Sequence, residues 1–164
     1  MQEGKLLTFV KELATLLEGK PSEEIVFSKG KKLLENLIQV DDWLPEEFCK
    51  PHPQYYQQYL LYADPLDRFS VVSFVWGPGQ KTPLHNHTVW GMIGQLRGQE
   101  RSADYYQQAD GSYKAGESFL CQPGQVATVS PKTHDIHVDP ITGAEKLFVS
   151  GYANSVTPNL WKAA

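Results

Sequence analysis

The chain has few of the features that mark secreted, membrane or nucleic-acid-binding proteins. It has two cysteines in 164 residues, Cys49 and Cys121. The two could form one disulfide bridge, but they are too few for a disulfide framework. This favours a reducing cytoplasm. No apolar run approaches the ~18 residues of a membrane span, and the charged N-terminus is unlike a signal peptide. Acidic residues outnumber basic ones by 19 to 15, and no basic stripe with interleaved aromatics is present. We expect a cytoplasmic protein with no membrane or nucleic-acid partner.

The first third of the sequence is typical of amphipathic helices. Gly19 ends a first helix, and Pro21 opens a second one with Glu23 and Glu24 in its first turn. Gly30 is the expected weak point of the second helix. The apolar stripe of the first helix is Leu6, Phe9, Val10, Leu13, Leu16 and Leu17, and that of the second is Leu33, Leu34, Leu37 and Ile38. A proline-broken stretch, 45–65, has room for one short helix.

From Arg68 onward the pattern changes to short β-branched or aromatic runs, which Gly, Pro, Asn and Asp separate. These runs are RFSVVSFVWGPG, TVWGMIGQLRG, ERSADYYQ, GESFLCQPGQVATVSP and EKLFVSGYA. Such spacing indicates a sandwich or barrel of antiparallel strands. The prediction is one domain, 1–164, with a mostly helical segment over 1–65 and a β-barrel over 66–164.

Two histidines stand one residue apart behind a Gly- and Pro-containing loop, in GPGQKTPLHNHTVWG. If this stretch is a strand, His85 and His87 point to one face and Asn86 to the other. Two imidazoles on one face can share a metal ion. The alternative is that one or both only form hydrogen bonds inside the barrel.

The spacing of Gly79, His85, Asn86, His87, Gly91 and Gly98 resembles the first motif of the cupin superfamily. A second block, from Gly116 through Pro123–Gly124 to a histidine beyond Pro131, resembles the second motif. The resemblance implies a cupin-type double-stranded β-helix, a jelly-roll barrel, with a metal ion inside its mouth and an N-terminal helical segment.

The expected ligand set departs from the usual cupin pattern, because Gly91 stands where most cupins have a carboxylate. Three histidines then remain: His85, His87 and one from THDIHVD. His137 is the preferred third ligand, since Ile136 and Val138 flank it like neighbours on a strand. His134, which lies in the Pro-Lys-Thr turn, is the alternative.

Three neutral imidazoles leave a divalent ion with its full charge, which suits a substrate that coordinates as an anion, such as a thiolate. The segments WGPGQKTPLHNHTVWGMIGQLRG and SPKTHDIHVD resemble the thiol dioxygenases, which include cysteine dioxygenases and bacterial 3-mercaptopropionate dioxygenases. The resemblance implies an Fe(II) cofactor held by His85, His87 and His137. With Gly91 near the position of the crosslinked cysteine of mammalian relatives, no Cys–Tyr crosslink is expected.

The family usually has a Ser-His-Tyr relay beside the iron, and here the matching positions read Phe148, Ser150 and Tyr152. Only the tyrosine is kept. The resemblance implies a catalytic role for Tyr152, whose hydroxyl could donate a hydrogen bond to O2 or substrate. The alternative is an aromatic of the barrel with a solvated hydroxyl.

The group that would bind the substrate carboxylate is not identified. Gln57 or Gln58 falls where cysteine-type enzymes have an arginine, and Arg68 is the best candidate for an inward cation, although a surface salt bridge suits it better. Arg97 precedes Gly98 in an expected turn. Trp90 is a candidate for the mouth of the barrel, with core packing as its alternative.

The function predicted from the sequence is a non-heme Fe(II) thiol dioxygenase that oxidises a small thiol, of the cysteine or 3-mercaptopropionate type, to its sulfinic acid with O2. Two alternatives stay open: a three-histidine iron dioxygenase of a carbon substrate such as a β-diketone, and a non-catalytic metal- or ligand-binding cupin. The expected partners are the thiol and O2, and the expected state is a monomer or homodimer.

Overall fold

A computed structural model describes residues 4–133, 136–138 and 140–151, the last range through its backbone. The first helix, α1, is Lys5–Glu18, and Gly19 follows it as predicted. Its buried side chains, Phe9, Val10 and Leu13, belong to the expected stripe. None of the helices in the described part of the chain is long and apolar enough to cross a membrane.

The second predicted helix has an irregular middle. It consists of α2 (Glu23–Ile25), a π-helical turn (Val26–Gly30) and α3 (Lys31–Ile38). Gly30, the predicted weak point, ends the π turn, and a Cβ at this position would lie 3.0 Å from the Cε atom of Met92. A 3₁₀ helix, Glu46–Cys49, is the short helix expected in the proline-broken stretch. Cys49 and Cys121 are both buried, and no disulfide joins them.

The strands of the described chain form one eight-stranded antiparallel sheet. Its main path runs β1-β2-β8-β4-β5, with β3 paired to β8, and with β6 and β7 paired to β4. The strands are β1 (Gln57–Ala63), β2 (Phe69–Val75), β3 (Pro78–Lys81), β4 (Gly91–Gln107), β5 (Tyr113–Cys121), β6 (Val126–Val129), β7 (His137–Val138) and β8 (Pro140–Gly151). The sheet thus begins at Gln57, inside the segment that the sequence predicts to be mostly helical.

The strand β4 joins two runs that the sequence predicts as separate strands. Gly98 has φ +66° within it, and the register against β8 shifts on both sides of Arg97. The predicted turn at Arg97–Gly98 is therefore wrong: the chain makes a β-bulge there and continues, because a residue at positive φ serves a bulge as well as a turn. Arg97 donates hydrogen bonds to Asp41, one of them 2.8 Å from Nη2 to Oδ1.

The helices pack on one face of the sheet and form the main core with it. Gly94 of β4 permits the close approach, since a Cβ there would lie 3.1 Å from Ile38 Cδ1 and 3.2 Å from Leu34 Cγ. The largest fully buried apolar side chains of this core are Leu13, Leu34, Phe69, Val71 and Met92. The opposite face of β4 is left for the histidines and a cavity.

Candidate metal centre

Three histidines from two distant parts of the sequence meet at one point. His85, His87 and His137 each offer a ring nitrogen, and these nitrogens all lie within 4.8 Å of one another. The ring centroids of His85 and His137 are 4.4 Å apart, and His87 lies 5.2 and 5.1 Å from them. Within the described residues this is the one group of histidine, cysteine or acidic side chains gathered so closely. Its spacing suits a metal ion.

A single pair of backbone hydrogen bonds places two of these histidines opposite each other. The His85 amide donates to the carbonyl of His137 at 3.1 Å, and the His137 amide donates back at 3.0 Å. The expected strand over 85–87 is reduced to this one bridge, because His87 lies in irregular chain two residues further on. The side chains of His85 and His87 still converge, as predicted, although the residues between them do not form a strand.

The ring of His85 is held from behind by its own loop. Its Nδ1 atom lies 3.0 Å from the carbonyl oxygen of Pro83. Because a carbonyl only accepts, this hydrogen bond requires the proton on Nδ1 and puts the ring's lone pair on Nε2. A backbone carbonyl behind the ring is a common partner of metal-ligating histidines. The Pro83 carbonyl thus fixes both the tautomer and the direction of the ring.

The helical segment anchors the turn that leads to His137. The hydroxyl of Ser130, which is 1% exposed, donates to Glu23 Oε1, and Lys132 Nζ lies 2.9 Å from Glu23 Oε2. The hydrogen bond from Ser130 is the main cause that holds the pKa of Glu23 below its ordinary value of 4.5, with Lys132 adding to it and burial opposing it. The start of α2 is therefore tied to the chain seven residues before His137.

A cavity of about 110 Å³ lies beside His137 on the sheet face away from the helices. Its walls come from β4, β5 and β6, and His137 belongs both to the cavity and to the histidine cluster. The lining residues are Ile93, Glu100, Ser102, Asp104, Phe119, Cys121, Ala127, Thr128, Val129 and His137. A molecule in this cavity would be adjacent to whatever the histidines bind.

The predicted substrate-binding residues have other contacts. Arg68 forms a bidentate pair with Asp64, at 2.7 Å from Nε and 2.9 Å from Nη2, and also donates to the Ala14 carbonyl. This pairing lowers the pKa of Asp64 and raises that of Arg68. Gln58 is exposed on β1, and Trp90 packs on the main core with its ring 6.5 Å from that of Phe27. None of the three lines the cavity beside His137, so their role in binding substrate stays a prediction.

Two further predicted site residues, Tyr152 and His134, lie outside the described residues. The backbone of β8 places Phe148 opposite Val72 and Ile93, and Ser150 opposite Ser70 and Gly91.

The sequence-based interpretation missed the carboxylates of the cavity and the anchor at Glu23. Glu100, Ser102 and Asp104 alternate along β4, which places polar groups on one face of a strand. That alternation is also what a solvent-exposed face would show, although Glu100 is only 4% exposed. The contact between Glu23 and Ser130 spans 107 positions of sequence, and no local pattern signals it.

Comparison with solved structures identifies the fold. A conserved protein of unknown function from Streptococcus pyogenes is 14% identical with a TM-score of 0.50, over 72% of this chain and 93% of that one. A protein of Thermus thermophilus is 16% identical with a TM-score of 0.51, over 70% of this chain and 97% of that one. An uncharacterised conserved protein with a double-stranded β-helix domain from Klebsiella pneumoniae is 17% identical with a TM-score of 0.50. This match covers 71% of this chain and 93% of that one. No protein-family model matches the chain.

Likeness at these identities shows the fold alone. The predicted fold class is confirmed: the chain is mainly β, with a cupin-type double-stranded β-helix and an N-terminal helical segment.

Proposed function

We propose that the protein binds Fe(II) through His85, His87 and His137 and oxidises a small thiol to its sulfinic acid with O2. The observation that carries the proposal is the convergence of three ring nitrogens within 4.8 Å. Its partners would be the thiol and O2, with no nucleic acid and no membrane, and the protein would act in the cytoplasm as a monomer or homodimer.

The three histidines fit a divalent ion. Nitrogens bound to one ion at ~2.0–2.1 Å are about 3 to 4 Å apart, so small ring movements would close the observed spacing. Imidazole is a donor that suits iron, copper, nickel and zinc. The Pro83 carbonyl keeps one ring of the three in the tautomer that a ligand needs.

The donor set supports a thiol as substrate. Three neutral imidazoles do not offset the charge of a divalent ion, so an anionic sulfur is a suitable further ligand. When bound, Fe(II) would supply the redox chemistry that adds the two atoms of O2 to sulfur. The chain's own residues would hold the ion, and the apolar walls of the cavity, including Ile93, Phe119 and Val129, would exclude water from the reacting sulfur.

The test is O2 uptake by protein that has been loaded with Fe(II) under anaerobic conditions. The substrates are cysteine, 3-mercaptopropionate, cysteamine and acetylacetone, and products are identified by mass spectrometry. Uptake with one thiol and a matching sulfinate is the expected result. Uptake with acetylacetone alone, or no uptake with any thiol while iron is stoichiometrically bound, would contradict the proposal.

A control histidine is available in the same chain. His52 lies in a loop, where its ring stacks on Tyr55 at 3.7 Å and its Nδ1 accepts from the Gln54 amide. His52→Ala removes an imidazole without touching the cluster. Its iron content and O2 uptake should match those of the parent, whereas His87→Ala should abolish both.

A further inference from the structure

The cavity beside His137 has an acidic lining that the resemblance to thiol dioxygenases does not explain. Ten residues with described side chains line it: among them Glu100 and Asp104 carry carboxylates, and none is lysine or arginine. Ser102 lies between them on the same face of β4 and is 7% exposed. A substrate with a carboxylate would therefore meet groups of its own charge next to the proposed iron site.

Strand pairing sets where the two acidic residues lie relative to the histidines. Asp104 is the register partner of His137, which is in turn the bridge partner of His85, so the three residues form one row across β4, β7 and the loop that holds His85. Glu100 lies four residues along β4 and faces Cys121 of β5. The acidic groups thus extend from the histidine cluster into the cavity.

The size of the cavity suits a small ligand. Its volume of about 110 Å³ exceeds the ~10–15 Å³ that one water molecule needs when measured in the same way. An aminothiol with two carbons between sulfur and nitrogen has four non-hydrogen atoms. Its sulfur could reach the histidine cluster while its ammonium group lies against the acidic side chains.

From the charge and size of this cavity we infer that it selects a small organic cation, and that the substrate is a short aminothiol whose amine binds to Glu100 and Asp104. The inference rests on the proposed function for the role of the sulfur. It also accounts for Arg68, which pairs with Asp64 and does not line the cavity. A cationic substrate needs no arginine.

The first test compares three thiols of similar size and different charge: cysteamine, 2-mercaptoethanol and mercaptoacetate. Co(II)-loaded protein is titrated anaerobically with each, and binding is followed by the thiolate-to-cobalt absorption bands. Cysteamine should bind at least about tenfold more tightly than mercaptoacetate, with the neutral thiol between them. Equal affinity, or tighter binding of mercaptoacetate, would overturn the inference.

Substitutions test whether the acidic side chains of the cavity cause the tighter binding of cysteamine. Glu100→Gln and Asp104→Asn keep the size of the side chain and remove the charge. Each should reduce the difference between the affinities for cysteamine and mercaptoacetate to less than about threefold. Glu12→Gln, at an exposed position of α1 on the other side of the sheet, is the matched control and should leave the ratio unchanged. Asp104→Asn provides the test if the more deeply buried Glu100→Gln fails to fold. A ratio that survives in the folded cavity variants would overturn the inference.

A measurement on metal-free protein separates this inference from the proposed function. Saturation-transfer NMR with ethylammonium and with acetate reports binding to the cavity without metal or thiol. A preference for ethylammonium that is lost in Asp104→Asn supports the cationic ligand. If this preference is found and Co(II) does not bind, the proposed function fails and the cationic ligand is still supported. Preference for acetate would overturn the inference even if iron binding and thiol oxidation are both observed.

Discussion

The backbones of His85 and His137 exchange two hydrogen bonds across 52 positions of sequence, at 3.1 and 3.0 Å. This bridge brings the loop before β4 against β7, which is only two residues long. In such a pair the two side chains lie on the same face of the sheet. The bridge therefore places two of the three proposed ligands before any metal binds.

Loss of either bridge histidine should remove the metal. We expect His85→Ala and His137→Ala to lower Fe(II) affinity by at least about 100-fold, since each removes a direct ligand, whereas loss of a supporting group typically costs 10- to 100-fold. Isothermal titration calorimetry with Co(II) or Fe(II) under anaerobic conditions measures the change in affinity. His134→Ala should leave affinity unchanged. Equal metal loss in all three variants would refute the choice of His137 as third ligand.

Replacement of Arg68 should affect stability and leave the site intact. Asp64 is buried, with its side chain 1% exposed, and Arg68→Ala leaves its carboxylate without the bidentate partner. We expect a lower free energy of unfolding, measured by urea denaturation, because the buried carboxylate loses its charged partner. Metal affinity and the KM for thiol should not change. An increased KM with unchanged stability would restore Arg68 as a substrate-binding residue.

The anchor between α2 and the turn before His137 should be sensitive to acid. The pKa of Glu23 is lowered in the folded protein, so its stabilising effect is complete above the ordinary value of 4.5 and is lost as pH falls through the lowered value. Glu23→Gln should cost about 1 to 2 kcal/mol at pH 7. The difference between parent and variant should shrink below pH 4.5. A difference that stays constant down to pH 3 would count against this pairing.

The contact between the helices and the sheet should not tolerate a side chain at Gly94. A Cβ there meets Leu34 Cγ at 3.2 Å and Ile38 Cδ1 at 3.1 Å, and the larger valine would have to displace both. We expect Gly94→Val to destabilise the protein by about 1 to 3 kcal/mol in thermal or urea unfolding. Combining Gly94→Ala with Ile38→Val should recover part of the loss that Gly94→Ala causes alone. Additive losses in the double variant would show that the contact is not tight.

The sequence predicted those elements whose signal is local. Helical periodicity located α1 and α3 with their buried residues, and the spacing of His85 and His87 placed two imidazoles together. Gly98 was misread because bulges and turns both use positive φ, and only the strand pairing tells them apart. The Glu23 anchor and the acidic cavity depend on contacts between distant segments, which single-sequence patterns do not encode.

The bulge in β4 changes the parity of the strand. Before Gly98 an odd-numbered residue, Ile93, faces the cavity, whereas after it the even-numbered Glu100, Ser102 and Asp104 do so. Without the extra residue, which β4 inserts between Gln95 and Arg97, Arg101 and its alternate neighbours would face inward, since a slip of one position turns every side chain to the other face. One stretch of sequence thus holds an acidic wall and a wall with a single cation, and the register of β4 selects between them.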